Sequence, residues 1–160
     1  MNFNDKCFEL SALAQRLELD RADGKTVAFA NGLFDILHVG HLRYLQGAAA
    51  EADRLVVAIN SDKSARELKG PTRPIMPEAE RAELIAGFGC VDYVTVFTER
   101  DVRPLLRTLR PNVHCKGSDY TVETVPEADV AAELGIRIAI VGDDKQHATT
   151  SIIEQIRDRS

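Results

Sequence analysis

The sequence carries no excess of positive charge. Its 20 Lys and Arg stand against 25 Asp and Glu, for a formal net charge of −5 at pH 7. A protein that grips nucleic acid wants a basic face, so this balance argues against nucleic acid as a partner. Any phosphate must instead be held by local placement of Lys and Arg. Cysteine is scarce as well. Cys7, Cys90 and Cys115 are odd in number and widely spaced, which argues against a disulfide framework and predicts reduced thiols in a cytoplasmic protein. Cys115, beside Lys116, reads as a buried strand-end cysteine before it reads as an activated thiol. No stretch approaches membrane-spanning length. The first residues lack a basic segment followed by an apolar one, and the sequence therefore predicts a soluble, cytoplasmic protein without a membrane segment. Repeats, low-complexity tracts and an interdomain linker are also missing.

What is present is 44% hydrophobic content in 160 residues, enough for one domain over 1–160 with a proper core. Leu10, Leu13, Ala14 and Leu17 share one helical face and predict a lead-in helix over 8–19, within a segment 1–24 packed on the domain. Asp23-Gly24 breaks it. Five short apolar runs follow at 26–30, 55–60, 93–97, 112–115 and 136–141. Helical patterns separate them near 41–52, 78–87, 101–109 and 127–134, and a last helix is expected at about 150–158. Strands that alternate with helices predict an α/β fold, a Rossmann-like doubly wound five-stranded parallel sheet with right-handed crossovers. Ligands of such sheets sit at the carboxyl ends of the strands, beside the point where strand order reverses.

The most informative segment is Asn31-Gly32-Leu33-Phe34-Asp35-Ile36-Leu37-His38-Val39-Gly40-His41. It joins the first apolar run to a helical pattern. A turn that delivers a helix N-terminus is an anion site, because free N–H groups and the positive end of the helix dipole point into the crevice. His38 and His41, three apart, add donors for phosphate oxygens. Gly40 between them lets a ligand approach the backbone. A zinc pair is the bland alternative, but zinc wants three or four protein ligands, and His114 and His147 do not show the spacing; no metal site is expected.

Other polar clusters also follow strand ends. Asn60-Ser61-Asp62 is succeeded by Lys63, Arg66, Lys69, Arg73 and Arg81. Lys63 and Arg66 read as a solvated helix face. Lys69 and Arg73 flank a Gly-Pro turn at Gly70-Pro71 instead of lying on a helix, which favours a phosphate role, and Gly70–Pro74 reads as a mobile flap with hinged ends. Arg81, one turn into a helix, has a surface role as its default. The segment Lys116-Gly117-Ser118-Asp119-Tyr120 offers a charge for phosphate, a ribose hydrogen bond and an aromatic for stacking. The run through Gly142-Asp143-Asp144 to Thr149-Thr150 ends at a helix start, where threonines are either caps or donors for a triphosphate.

Taken together, these segments resemble the H-x-G-H nucleotidyltransferase superfamily, and within it the heptose-1-phosphate adenylyltransferase branch. The resemblance covers nearly the whole chain. It implies transfer of AMP from ATP to D-glycero-β-D-manno-heptose 1-phosphate with release of pyrophosphate. That activity occurs in the family as a stand-alone protein or as half of a bifunctional kinase/adenylyltransferase, and no sugar-kinase half is seen, so the stand-alone form is expected. The resemblance assigns catalysis to His38, His41, Lys69 and Arg81. It assigns nucleotide binding to Asn31, Gly32, Leu33, Phe34, Asp35, His38, Gly40, His41, Lys116, Gly117, Asp119, Thr149 and Thr150, and sugar-phosphate binding to Asn60, Asp62 and Arg73. It further implies Mg²⁺ bridging phosphates with few protein ligands, Asp35 orienting that ion or the nearby backbone, and a homodimer. The family's last motif usually reads Ser-Thr-Thr, whereas this chain has Ala148-Thr149-Thr150. Two readings stay open beside it: the same fold with another nucleotide or acceptor (a GDP-heptose-forming enzyme, or a cytidylyltransferase for glycerol 3-phosphate or phosphoethanolamine), and a non-catalytic nucleotide-binding module.

Overall fold

Alternation along two strands decides the architecture. In β1 (Val27–Gly32) the side chains of Ala28 and Ala30 enter one buried cluster, and those of Val27 and Phe29 enter another. In β2 (Arg54–Asn60), Leu55, Val57 and Ile59 oppose Val56 and Ala58 in the same way. Strands that are apolar on both faces need cover on both, which is the situation of a parallel sheet wrapped by helices. The computed structural model describes residues 3–143 and 148–159 and shows that arrangement. β3 (Tyr93–Phe97), β4 (Val113–Gly117) and β5 (Arg137–Val141) complete an all-parallel five-stranded sheet in the order β3-β2-β1-β4-β5.

One face is covered by α2 (Val39–Ala49) and α4 (Glu78–Ala86), through Leu45, Ala48, Ala82 and Ile85. The other is covered by α1 (Leu10–Ala22), α5 (Arg103–Leu109) and α6 (Ala128–Leu134), through Leu13, Leu17, Leu105, Leu106 and Val130. The expected Rossmann-like doubly wound fold is therefore the observed one. Two short 3-10 turns, Phe3–Lys6 and Val122–Thr124, and two further helices, α3 (Asp62–Lys69) and α7 (Thr149–Asp158), are the other elements among the described residues. Among the described residues no helix is long and apolar enough to cross a membrane.

Two differences from the sequence reading bear on the site. β1 runs on through Asn31-Gly32 and β4 through Lys116-Gly117, so both polar motifs begin on rigid sheet. The stretch after Asn60-Ser61, read as a helix face only at Lys63 and Arg66, is helical through Lys69: the Ser61 hydroxyl accepts the Ser64 N–H at 3.2 Å as its N-cap, and Gly70, at φ 97°, ends it. Lys69 is the last residue of that helix, which corrects the expectation that it lies off one.

The chain winds β1, β2, β3 in one direction and then returns to the other side of β1 for β4 and β5. The reversal opens a crevice at the carboxyl ends of β1 and β4. Close packing of α2 against the β5–α7 turn shapes its wall. A Cβ on Gly47 would stand 3.1 Å from the Gly142 nitrogen, and one on Gly142, at φ 90°, would stand 3.3 Å from the Tyr44 Cα.

Candidate active site

A cavity of about 410 Å³ occupies that crevice. Asn31, Gly32, Leu33, Phe34, Asp35, His38, Gly40, His41, Lys69, Arg73, Lys116, Gly117, Asp119, Thr149 and Thr150 all line it. The β1–α2 motif, the end of α3, the β4 motif and the start of α7 thus converge on one space. Sequence reasoning missed Tyr44 among the lining residues, although it lies three positions after His41 on α2, a spacing that shares a helix face. Asp144 and His147 lie outside the described residues.

His38 is the N-cap of α2 and forms a reciprocal cap with His41. The Gly40 N–H donates to His38 Nδ1 at 3.1 Å, and the His38 N–H donates to His41 Nδ1 at 3.4 Å. The rings stack with centroids 3.9 Å apart. Because each Nδ1 accepts a backbone N–H, each neutral ring carries its proton on Nε2. Both histidines are therefore set as donors at the positive end of α2. Phe34 supports them, meeting His41 edge-on at 5.4 Å, and the Phe34 ring would be 3.2 Å from a Cβ on Gly32; glycine there makes room for it.

Asp35 is almost fully buried. Its carboxylate accepts Arg73 Nε at 2.7 Å and the N–H groups of Ile75 and Met76 at 2.9 and 3.0 Å. Burial pushes the carboxyl up, but those amides and the Arg73 guanidinium outweigh it and hold it below the usual carboxylate range. The turn after α3, expected as a mobile flap, is thus bonded to the motif loop. Thr149 donates to the Asp35 carbonyl at 2.7 Å. The N-cap of α7 is Ala148, with no side-chain cap bond, so the threonines are not the caps.

Three assigned residues are not in the crevice. Arg81 is 0% exposed and donates to the carbonyls of Met76 and Leu33 at 3.0 and 2.6 Å and to Asp62 Oδ1 at 2.8 Å. It supports the motif loop from beneath, which corrects both the surface default and the catalytic assignment. Asp62 is engaged by Arg81 and receives no place in the cavity lining; its own N–H donates to Glu78 at 2.5 Å. Asn60 is buried and donates to Ser64 Oγ at 3.2 Å. For Asn60 and Asp62 the physical reason is topological: they lie at the carboxyl end of β2, whereas the crevice lies between β1 and β4. Lys63 and Arg66 are exposed on α3, as a solvated face requires.

Lys116 reaches the cavity but is itself buried. Its Nζ lies 3.1 Å from Asn31 Oδ1, 3.3 Å from Glu127 Oε2 and 5.4 Å from the Tyr120 ring centroid. Glu127 was not legible as its partner, since nothing local marks it. His114 shares the same Asn31 oxygen at 3.3 Å; burial, then the charge of Lys116, pushes it down to about 3, so it is neutral. Burial, with Glu51 adding and Arg137 opposing, pushes the Cys115 thiol up to about 12; it is an inert core residue. With Arg73 paired to Asp35 and Lys116 to Glu127, Lys69 is exposed and has no hydrogen bond or ion pair among the described residues. Among the described residues the site therefore offers two histidine donors, two helix N-termini and one uncommitted ammonium, a set suited to a polyphosphate. No group of three His, Cys, Asp or Glu able to hold a metal occurs among the described residues.

Comparison with known proteins agrees with this geometry. A family described as cytidylyltransferase-like matches residues 29–156. The bifunctional protein HldE of Syntrophotalea carbinolica is 46% identical over 159 residues, covering 99% of this chain and 32% of that protein. The bifunctional protein HldE of Geobacter metallireducens is 46% identical over 151 residues, 94% of this chain and 31% of that protein. The chain spans about a third of the length of these curated relatives. Among solved structures, the lipopolysaccharide core biosynthesis protein from Thermoplasma volcanium GSS1 superposes with a TM-score of 0.65 at 29% identity, covering 76% of this chain and 100% of that one.

Proposed function

The chain belongs to the cytidylyltransferase-like family, and we propose from that premise that it is a nucleotidyltransferase that transfers AMP from ATP to D-glycero-β-D-manno-heptose 1-phosphate. The choice of heptose is supported by the motif resemblance and by similarity to the HldE proteins and the lipopolysaccharide core protein. The observation that carries the reaction type is the convergence of His38, His41, Lys69 and the starts of α2 and α7 on one cavity.

An oxygen of the sugar phosphate attacks the α-phosphorus of ATP. One P–O bond forms, the bond to the oxygen bridging the α- and β-phosphates breaks, and pyrophosphate leaves with that electron pair. The acceptor is already ionised near neutral pH, so no general base is required. This chain's residues instead align the two phosphates and stabilise charge. The Nε2–H groups of His38 and His41 donate to phosphate oxygens as charge shifts to the leaving group. Lys69 and the α7 start hold the triphosphate, and Tyr120 offers a face for the base. Lys116 fixes Asn31 from below.

Magnesium is proposed as part of the substrate, its ion being held by ATP phosphates and water. The donor set fits this, because the Asp35 carboxylate is engaged by Arg73 and two amides and Mg²⁺ keeps its waters readily. When bound, the ion neutralises phosphate charge. A cytoplasmic location, in keeping with the free cysteines, and a homodimer, which sedimentation would test, complete the proposal. The function is tested by pyrophosphate release with ATP, GTP and CTP against a panel of sugar and polyol phosphates. Faster turnover with CTP and glycerol 3-phosphate would favour the cytidylyltransferase reading, and no release with any pair would favour a binding module.

A further inference from the structure

Asp35 stands between two residues in the left-handed region, Phe34 at φ 52° and Ile36 at φ 48°. For an aromatic and a β-branched residue this backbone is costly and persists only where neighbours over-determine it. The neighbours here come from two separate elements. Through its carboxylate, Asp35 holds Arg73, Ile75 and Met76 of the turn between α3 and α4. Through its carbonyl it holds the Thr149 hydroxyl at the first position of α7, at 2.7 Å, with the Ile36 carbonyl 3.4 Å from the same oxygen. Both elements line the cavity, the turn through Arg73 and the start of α7 through Thr149 and Thr150. The Asp35 side chain is 1% exposed, so it acts through what it holds.

We propose that Asp35 is a positioning residue that ties the 70–77 turn to the start of α7, so that the two walls of the phosphate site order and loosen together. Only its consequence for turnover rests on the proposed reaction. The linkage itself is a property of the substrate-free protein.

The test is amide hydrogen exchange on the full chain without substrate. Thr149→Val removes the hydroxyl that meets the Asp35 carbonyl and touches neither Ile75 nor Met76. It should nonetheless speed exchange of the Ile75 and Met76 amides about tenfold, the factor of one lost hydrogen bond. Thr149→Ser, which keeps the hydroxyl, should restore wild-type exchange. In the reverse direction, Arg73→Ala should speed exchange of the Ile152 amide, which bonds the Ala148 carbonyl in α7. This second variant decides the matter if Thr149→Val does not fold. Unchanged exchange at the remote amides overturns the linkage, even if turnover falls, because the activity loss would then reflect direct contact with nucleotide. Transmitted exchange in a protein that releases no pyrophosphate would uphold the linkage and remove the proposed reaction instead.

Discussion

His38 and His41 stack with ring planes inclined by 25° while each Nδ1 accepts a backbone N–H of the motif. The arrangement makes both rings donors at Nε2 and gives them no role as bases. His38→Ala and His41→Ala should each lower turnover on the order of 10²-fold, the scale of a lost charge-stabilising donor. His38→Asn, which keeps an N-cap acceptor, should recover stability but not turnover. Steady-state kinetics beside thermal melts separate the two effects. Near-normal turnover in both alanine variants would remove the histidines from the mechanism.

Lys69 and Arg81 should part company. Lys69→Ala removes an exposed, uncommitted ammonium, so it should cost turnover on the order of 10²-fold with an unchanged melt. Arg81→Ala strips the partner from Asp62 and leaves the carbonyls of Leu33 and Met76 without their donor. It should destabilise the fold by about 3 kcal/mol, and its activity loss should follow unfolding. Lys63→Ala should be close to silent in both. Equal turnover losses at all three positions would point to a general field effect and contradict the assignment.

These two residues also mark how far the sequence could be read. The strands were legible because β1 and β2 bury both faces, and the lead-in helix because Leu13 and Leu17 repeat at helical spacing. α3 was legible only as a solvated face at Lys63 and Arg66, and its extension to Lys69 was not, since its inward residues are Ser64 and Ala65 while Leu68 is exposed, which leaves no apolar period. Arg81 looked like a surface cation because its acceptor at Leu33 is 48 positions away. Asn60 and Asp62 were placed at a strand end correctly, but only strand order tells that β2 is one strand removed from the reversal. The Glu127 partner of Lys116 is likewise a tertiary fact.

At the start of α7, Ala148 occupies the N-cap with extended backbone at φ −140° and ψ 142° and caps nothing. Ala148→Ser can accept an N–H of the first turn and should stabilise the helix by about 1 kcal/mol. Exchange of the α7 amides should slow, and ATP should bind slightly tighter. No slowing would mean that the helix start is fixed by Thr149 alone.

His114 predicts a pH dependence. Its folded value of about 3 lies below the ordinary 6.5, so the unfolded chain binds the proton first. Stability is complete above about pH 6.5 and falls as the pH drops towards 3, by about 1.4 kcal/mol per unit from this group. Urea unfolding of wild type and His114→Gln at pH 7 and pH 5 checks the sign: the variant should lose less stability on acidification. An equal loss in both would assign acid sensitivity to other groups.

The central claim is adenylyl transfer to a sugar 1-phosphate in the crevice between β1 and β4. Its most direct measurement is formation of the nucleotide-linked sugar from ATP and D-glycero-β-D-manno-heptose 1-phosphate, followed by mass spectrometry with pyrophosphate release in parallel. The account predicts ADP-heptose and pyrophosphate in equal amounts, Mg²⁺ dependence, and formation of both products slowed on the order of 10²-fold in His41→Ala. Equal binding of nucleotide with no product from any nucleotide and phosphate pair would contradict it.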